Sequence, residues 1–233
     1  MARSELRIDW ANHKAARHAC ERWHYSGCTP SGKTVKFGAW ENGRFIGVVI
    51  YGMGSGKATN GSRYGLAQSH EVAELARVAL RDHQCEVSRI IAITLRMMRR
   101  HCPGIRLVLS LADPNQDHHG GIYQAGNWFY TGTSGAARYY RVNGKIMHPR
   151  SVYANAGENS LRGARRLDKN AEAIQMPGKH RYLMPLDADI ADKVRSMAKP
   201  YPKRAKGQDV ENHSTLGGST PTRTLQTNGT DYG

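Results

Sequence analysis

Much is excluded by what this sequence lacks. Its 233 residues contain no run of 18 apolar side chains, so no segment is expected to cross a bilayer as a helix. The opening stretch, MARSELRIDW, has no apolar core of the kind an export signal needs. Cysteine is scarce: Cys20, Cys28, Cys85 and Cys102 are the full set. No two of them stand in a C-x-x-C pair, which argues against a structural zinc site. Without an export signal they are expected to be reduced thiols in a cytoplasm. Acid is short as well, with 19 Asp and Glu against 34 Lys and Arg and a formal charge of +15. A balance this lopsided points to a polyanionic partner, above all nucleic acid. Hydrophobic residues make up 39%, modest but enough for a core, and the length suits one domain with an extension.

Periodicity supplies the elements. Trp10, Ala16, Ala19, Cys20 and Trp23 share one face of a helix over 10–24. The segment VKFGAWENGRFIGVVIYG, residues 35–52, predicts two strands around Asn42-Gly43, a dipeptide that accepts the positive φ angles of a type I′ turn. Residues 53–70 are rich in Gly and Ser and read as a long loop. VAELARVAL, residues 72–80, reads as a strand with Leu75, Arg77 and Ala79 on one face. A helix is expected over 88–101, capped by Ser88 and stopped by Pro103-Gly104. IRLVLSLA, residues 105–112, has the unbroken apolar character of a strand covered on both faces. A short helix near 120–128 and a second hairpin around Asn143-Gly144 follow. The order implies a mixed α/β domain over 1–198, one central sheet with helices on both sides. Residues 199–233 are polar and aperiodic and read as a disordered, partly basic tail. If it touches phosphates, its removal weakens binding in a salt-dependent way.

One block stands apart: SLADPNQDHHGGIYQAGNWFYTG, residues 110–132. Asp113 falls where a buried strand ends, the place where ligands collect in open α/β sheets. A carboxylate there can orient an amine or accept a proton, although Asp113-Pro114 also suits a plain turn. His118 and His119 are adjacent and so diverge, a poor two-ligand pair for a metal. Gly120 and Gly121 permit either a bend or a close backbone approach to a ligand. Tyr123 and Trp128 are candidates for stacking on a base or for the core.

Taken with HYS at 24–26, ELARVAL at 74–80, VSRI at 87–90 and KHRYLMPLD at 179–187, that block resembles the Mom DNA-modification proteins of Mu-like bacteriophages. The resemblance covers about residues 8–190. It implies a GNAT-type acyltransferase fold and conversion of adenine in DNA to N6-carbamoylmethyladenine, which shields phage DNA from restriction in the cytoplasm of an infected bacterium. It further implies functional roles for His24, Tyr25, Arg77, Asp113 and Tyr123, and a donor-facing position for Ser88 and Arg89. The sequence departs from GNAT enzymes at one place. Where their strand meets the central helix they carry a Gly-rich loop whose N–H groups hold the CoA diphosphate; here that junction reads RDHQCEVSRI, with no glycine.

The product chemistry bears on the donor. The added group, –CH2–CO–NH2, is an isomer of glycyl, and acetyl lacks its nitrogen. An activated glycine such as glycyl-tRNA is therefore one expected donor, and acetyl-CoA with a further metal or radical step is the rival. Double-stranded DNA with an extruded adenine is the expected partner, with tRNA as a second. In this scheme Asp113 orients N6 and accepts its proton, Tyr25 or Tyr123 stacks on the base or protonates the leaving oxygen, Arg77 holds an oxyanion or phosphate, and His24 carries a proton. The spacing leaves metal dependence open. Two alternatives are a conventional GNAT acting on a small amine or protein, and a non-catalytic nucleic-acid binder.

Overall fold

The computed structural model describes residues 4–53, 59–116 and 118–203. Its contacts divide the described residues into two compact units, one built on residues up to 52 with 76–94, the other on 53–75 with 95–203.

In the first unit, β1 (Leu6–Trp10) is followed by α1 (His13–Trp23), β2 (Thr34–Glu41) and β3 (Arg44–Gly52). The Asn12 side chain accepts from the Ala15 N–H and opens α1, a standard cap for an otherwise orphaned donor. Asn42 and Gly43 take φ values of 50° and 77°, the type I′ geometry expected from the dipeptide. Alternation along β3 sends Val48 and Ile50 toward Ala16, Ala19 and Cys20 of α1. On the opposite face the Tyr51 hydroxyl meets Thr94 Oγ1 at 2.7 Å. That threonine belongs to α2 (Val87–His101), which follows β4 (Val72–Leu80). Helices therefore cover both faces of this part of the sheet. The helix start differs from expectation: it begins at Val87, and the carbonyl of Glu86 receives the Arg89 and Ile90 N–H groups. Ser88 thus lies inside the first turn and is not its cap. The basic end, Arg99, Arg100 and His101, complements the helix dipole as expected.

The second unit contains β5 (Leu107–Ala112), α3 (Gly121–Ala125), β6 (Phe129–Thr133), β7 (Ala137–Val142), β8 (Lys145–Met147), α4 (Pro149–Ala156), α5 (Leu161–Leu167), β9 (Glu172–Met176), β10 (His180–Pro185) and α6 (Ala188–Ser196). Leu107, Leu109 and Leu183 on one sheet face pack against Ile190 and Val194 of α6 and against Tyr64. Tyr64 belongs to a 3-10 turn, Gly61–Tyr64, so part of the span expected as loop is folded and contributes to the core. Arg106 pairs with Glu71, Asp187 and Asp189 and ties the start of β5 to the start of α6.

Seven strands form one sheet in the order β1-β2-β3-β4-β5-β10-β6. β4 and β5 are parallel over Val72–Glu74 and Leu107–Leu109; β10 is antiparallel to both β5 and β6. The expectation of a single sheet layer was incomplete. A separate three-stranded sheet, β8-β7-β9, lies between β6 and β10 in sequence. It has its own core of Tyr140 and Val142 against Val152, Ala164 and Ala171. Its Asn143-Gly144 turn repeats the φ signature of the first hairpin, 49° and 73°. Of the expected tail, residues 204–233 lie outside the described residues. Residues 199–201 are bonded to the second unit, through Lys199 N–H to the Tyr130 carbonyl (2.7 Å) and the Tyr201 hydroxyl to the Trp128 carbonyl (2.9 Å). Among the described residues no helix is long and apolar enough to cross a membrane.

Candidate active site

In the second unit the register of β5 and β10 sets the geometry. His180 is paired with Ala112, so the next residues outward, Lys179 and Asp113, face each other just past the ladder's end. Their side chains meet, with Lys179 Nζ 2.8 Å from Asp113 Oδ2. The other carboxylate oxygen accepts from the Asn115 backbone N–H (3.0 Å) and the Asn115 side-chain amide (2.9 Å). The Asp113 side chain is only 13% exposed. Burial pushes its carboxyl up, but the Lys179 ammonium and the Asn115 donors outweigh burial and hold it below the ordinary carboxylate value. Asp113 is therefore an ionised, hydrogen-bonded anion at neutral pH.

Lys179 was not singled out from the sequence as a site residue. Its backbone exchanges bonds with Ser134, the Lys179 N–H going to Ser134 Oγ (2.9 Å) and the Ser134 N–H to the Lys179 carbonyl (2.8 Å). A Cβ on the preceding Gly178 would collide with the Ser134 carbonyl, so glycine there permits the close approach that seats Lys179. The signal available in sequence was weak: a Gly-Lys pair before an apolar run.

Tyr123 is placed differently from the base-stacking role considered above. It is 9% exposed and its ring lies 5.2 Å from both Trp128 and Tyr182. It belongs to an aromatic cluster that continues through Tyr130 and His180. The Tyr182 hydroxyl donates to the His119 carbonyl (2.6 Å) and accepts from Gln124 (3.0 Å). Gly120 has φ 88°, and any Cβ there would run into the Tyr182 ring. The cluster thus holds the loop after Asp113, and Gly120 makes room for a tyrosine of the chain itself. His118 and His119 are half-buried. Among the described residues no three His, Cys, Asp or Glu are grouped to hold a metal ion.

The first unit holds His24, Tyr25 and Arg77, with the two rings in contact and the arginine bonded to the same loop at Cys28. Arg77 Nε donates to the Cys28 carbonyl (3.2 Å) and Nη1 to the Ala76 carbonyl (2.7 Å), so this cation tethers the loop that follows α1. The Ser26 N–H points at His24 Nδ1 (3.1 Å), which makes that nitrogen an acceptor and leaves the neutral ring's proton on Nε2. The Tyr25 ring lies 4.3 Å from the His24 ring and is 55% exposed. Cys20 beneath them is buried, and burial pushes its thiol up to about 11; it is an inert core thiol at neutral pH.

Ser88 and Arg89 are half-buried in the first turn of α2. The turn before them is already engaged. Glu41, at the end of β2, accepts from the Gln84 N–H (2.9 Å) and the Cys85 N–H (2.7 Å). Ser4 donates to the same carboxylate at 3.2 Å. With these N–H groups taken and no glycine from 81 to 90, the residues present do not fit a CoA diphosphate at this turn.

The family model of the Mom protein family matches residues 5–203. This chain belongs to the Mom family. It is 24% identical over 205 residues to the protein named methylcarbamoylase mom of Escherichia phage Mu, covering 85% of this chain and 84% of that one. Solved structures similar in arrangement include a spermidine N-acetyltransferase from Vibrio cholerae, with 10% identity, TM-score 0.45, and 80% and 97% of the two chains covered. An N-acyl amino acid synthase from uncultured soil microbes is also similar, with 10% identity, TM-score 0.43, and 84% and 95% covered. The Mom match spans every site residue described above, Asp113 and Lys179 included.

Proposed function

We propose that this protein is a transferase that modifies adenine in double-stranded DNA, converting it to N6-carbamoylmethyladenine. The observation that carries this reading is the Mom family match over residues 5–203, supported by the named activity of the phage Mu relative. The charge of +15 suits a polyanionic substrate.

Adenine N6 is a weak nucleophile because its lone pair is shared with the ring, so the base is extruded and its amino group oriented. Asp113 does this by accepting an N6–H bond at the oxygen that Lys179 otherwise holds. The displaced ammonium is then free to donate to the acyl donor's carbonyl or leaving oxygen, where negative charge develops. As N6 bonds to the acyl carbon its proton becomes strongly acidic. Even a carboxylate held below its ordinary pKa then accepts it. Arg77 keeps the His24–Cys28 loop in place, and the exposed Tyr25 ring offers a stacking surface for a nucleobase.

The donor in this reading is an activated glycine, glycyl-tRNA. Acylation forms the N6–C(O) bond and releases the tRNA 3′ hydroxyl. The glycyl amine then attacks adenine C6 through a five-membered spiro intermediate. Cleavage of the original C6–N6 bond gives C6–NH–CH2–CO–NH2, an isomer of the first product, so no further reagent is consumed.

The test is direct. DNA from cells making the protein is digested to nucleosides, and a heavier adenine nucleoside is expected. Protein with Asp113→Ala should fold and bind DNA but leave adenine unmodified; full modification by that variant would remove Asp113 from the mechanism. Labelled glycyl-tRNA incubated with protein and DNA should label the adenine, and unlabelled product would eliminate the glycine route.

A further inference from the structure

The turn between β4 and α2 presents the Gln84 and Cys85 N–H groups just ahead of the helix's positive end, where an anion is favoured. In this protein the anion is internal. Glu41 is 8% exposed, and its two oxygens are divided between the Cys85 N–H at 2.7 Å and the Gln84 N–H at 2.9 Å. Ser4 Oγ lies 3.2 Å from the first of these oxygens and 3.0 Å from Cys85 Sγ.

The turn is also tied down on other sides. The Arg81 N–H donates to the Ile46 carbonyl (2.8 Å), and Arg44 Nη2 donates to the Asp82 carbonyl (2.9 Å). His83 Nδ1 meets the Cys85 carbonyl at 2.7 Å. Side chains at every position from 81 to 90 place a Cβ where a glycine-lined turn would leave space for phosphate oxygens.

We propose that Glu41 is a specificity-determining residue: its carboxylate occupies the position of a donor's phosphate, so the protein uses a donor that is not held by a diphosphate at this turn. A second anion cannot share these two N–H groups. It would have to displace a buried carboxylate and leave that charge without its partners, which is strongly unfavourable. An acyl-CoA carries the diphosphate that this arrangement rejects. An aminoacyl ester on a nucleic acid does not need that contact, because its acyl group can be presented by binding elsewhere along the strand. The inference rests on the reading that an activated acyl donor is used, and it narrows the class of that donor.

Amide NMR tests it without reference to DNA modification. CoA and inorganic pyrophosphate are titrated into the full 15N-labelled chain at low salt. In the native protein the Gln84 and Cys85 amide resonances should show no saturable shift up to about 1 mM ligand, the concentration that marks very weak binding. In Glu41→Ala the same two amides should move saturably with pyrophosphate. If Glu41→Ala does not fold, Glu41→Gln replaces it, since its amide nitrogen cannot accept and the N–H facing it is left for the ligand. Saturable movement of these amides by CoA in the native protein overturns the proposal. So does a folded Glu41 variant whose amides stay blind to pyrophosphate. Nucleoside analysis is run separately, so failure of the DNA-modification reading is distinguishable from failure of this one.

Discussion

Two carboxylates, the buried Glu41 at the end of β2 and the largely covered Asp113 just past β5, are held below the ordinary carboxylate value, but by different kinds of partner. For each, burial raises the pKa and hydrogen bonds override it. Around Glu41 those bonds come from Cys85, the backbone N–H groups of Gln84 and Cys85, and Ser4. Around Asp113 they come chiefly from the Lys179 ammonium, with Asn115 in support. A backbone N–H cannot leave without dismantling the turn that carries it. An ammonium on a flexible stem, with a side chain 33% exposed, can swing away and be replaced by another donor. In the proposed reading the first arrangement closes a site and the second leaves one for exchange.

The sharpest way to break this contrast is to neutralise the exchangeable acid. Asp113→Asn should lower the yield of modified nucleoside by at least about 100-fold, the scale of a lost acid–base group, with little change in melting temperature. Glu41→Ala should act in the opposite sense. It strands two N–H donors and should cost about 2 kcal/mol of stability, read from the denaturant midpoint. Lys179→Met comes next. It should reduce modification about tenfold and move the acid limb of the pH–rate profile upward, because Asp113 loses the cation that depresses its pKa. The smallest effect is in acid stability. Both folded-state values lie below the unfolded ones, so the stabilisation is fully present above about pH 5 and is lost as pH falls through the lower folded values. Glu41→Gln should flatten that acid limb in a melting-temperature series; an unchanged slope would mean that Glu41 is not engaged in solution.

Much of the fold was legible because local chemistry decided it. Asn42-Gly43 and Asn143-Gly144 carry their turn geometry in the dipeptide. The alternation in VAELARVAL and the punctuation around α2 follow from side-chain periodicity. In the small second sheet the β7–β8 hairpin was legible from its Asn-Gly turn, but β9 alternates weakly and its pairing with β7 was not. Asp113 could be marked from its place after an apolar strand. Its ammonium partner could not, since Lys179 lies 66 positions away by number and meets it only through the β5–β10 register. For Tyr123 the sequence left stacking and core both open; its packing against Tyr182, 59 residues later in the chain, belongs to the tertiary structure.

By itself the sequence determined charge sign, element types, the family and the missing glycine loop, all of which depend on composition or on residues close along the chain. Only the tertiary structure decided what replaces that loop's anion and which cation answers Asp113. Lys179 meets Asp113 through strand register and Glu41 meets Cys85 through a turn 44 residues on, and a contact between distant residues acquires its meaning once the fold has aligned them.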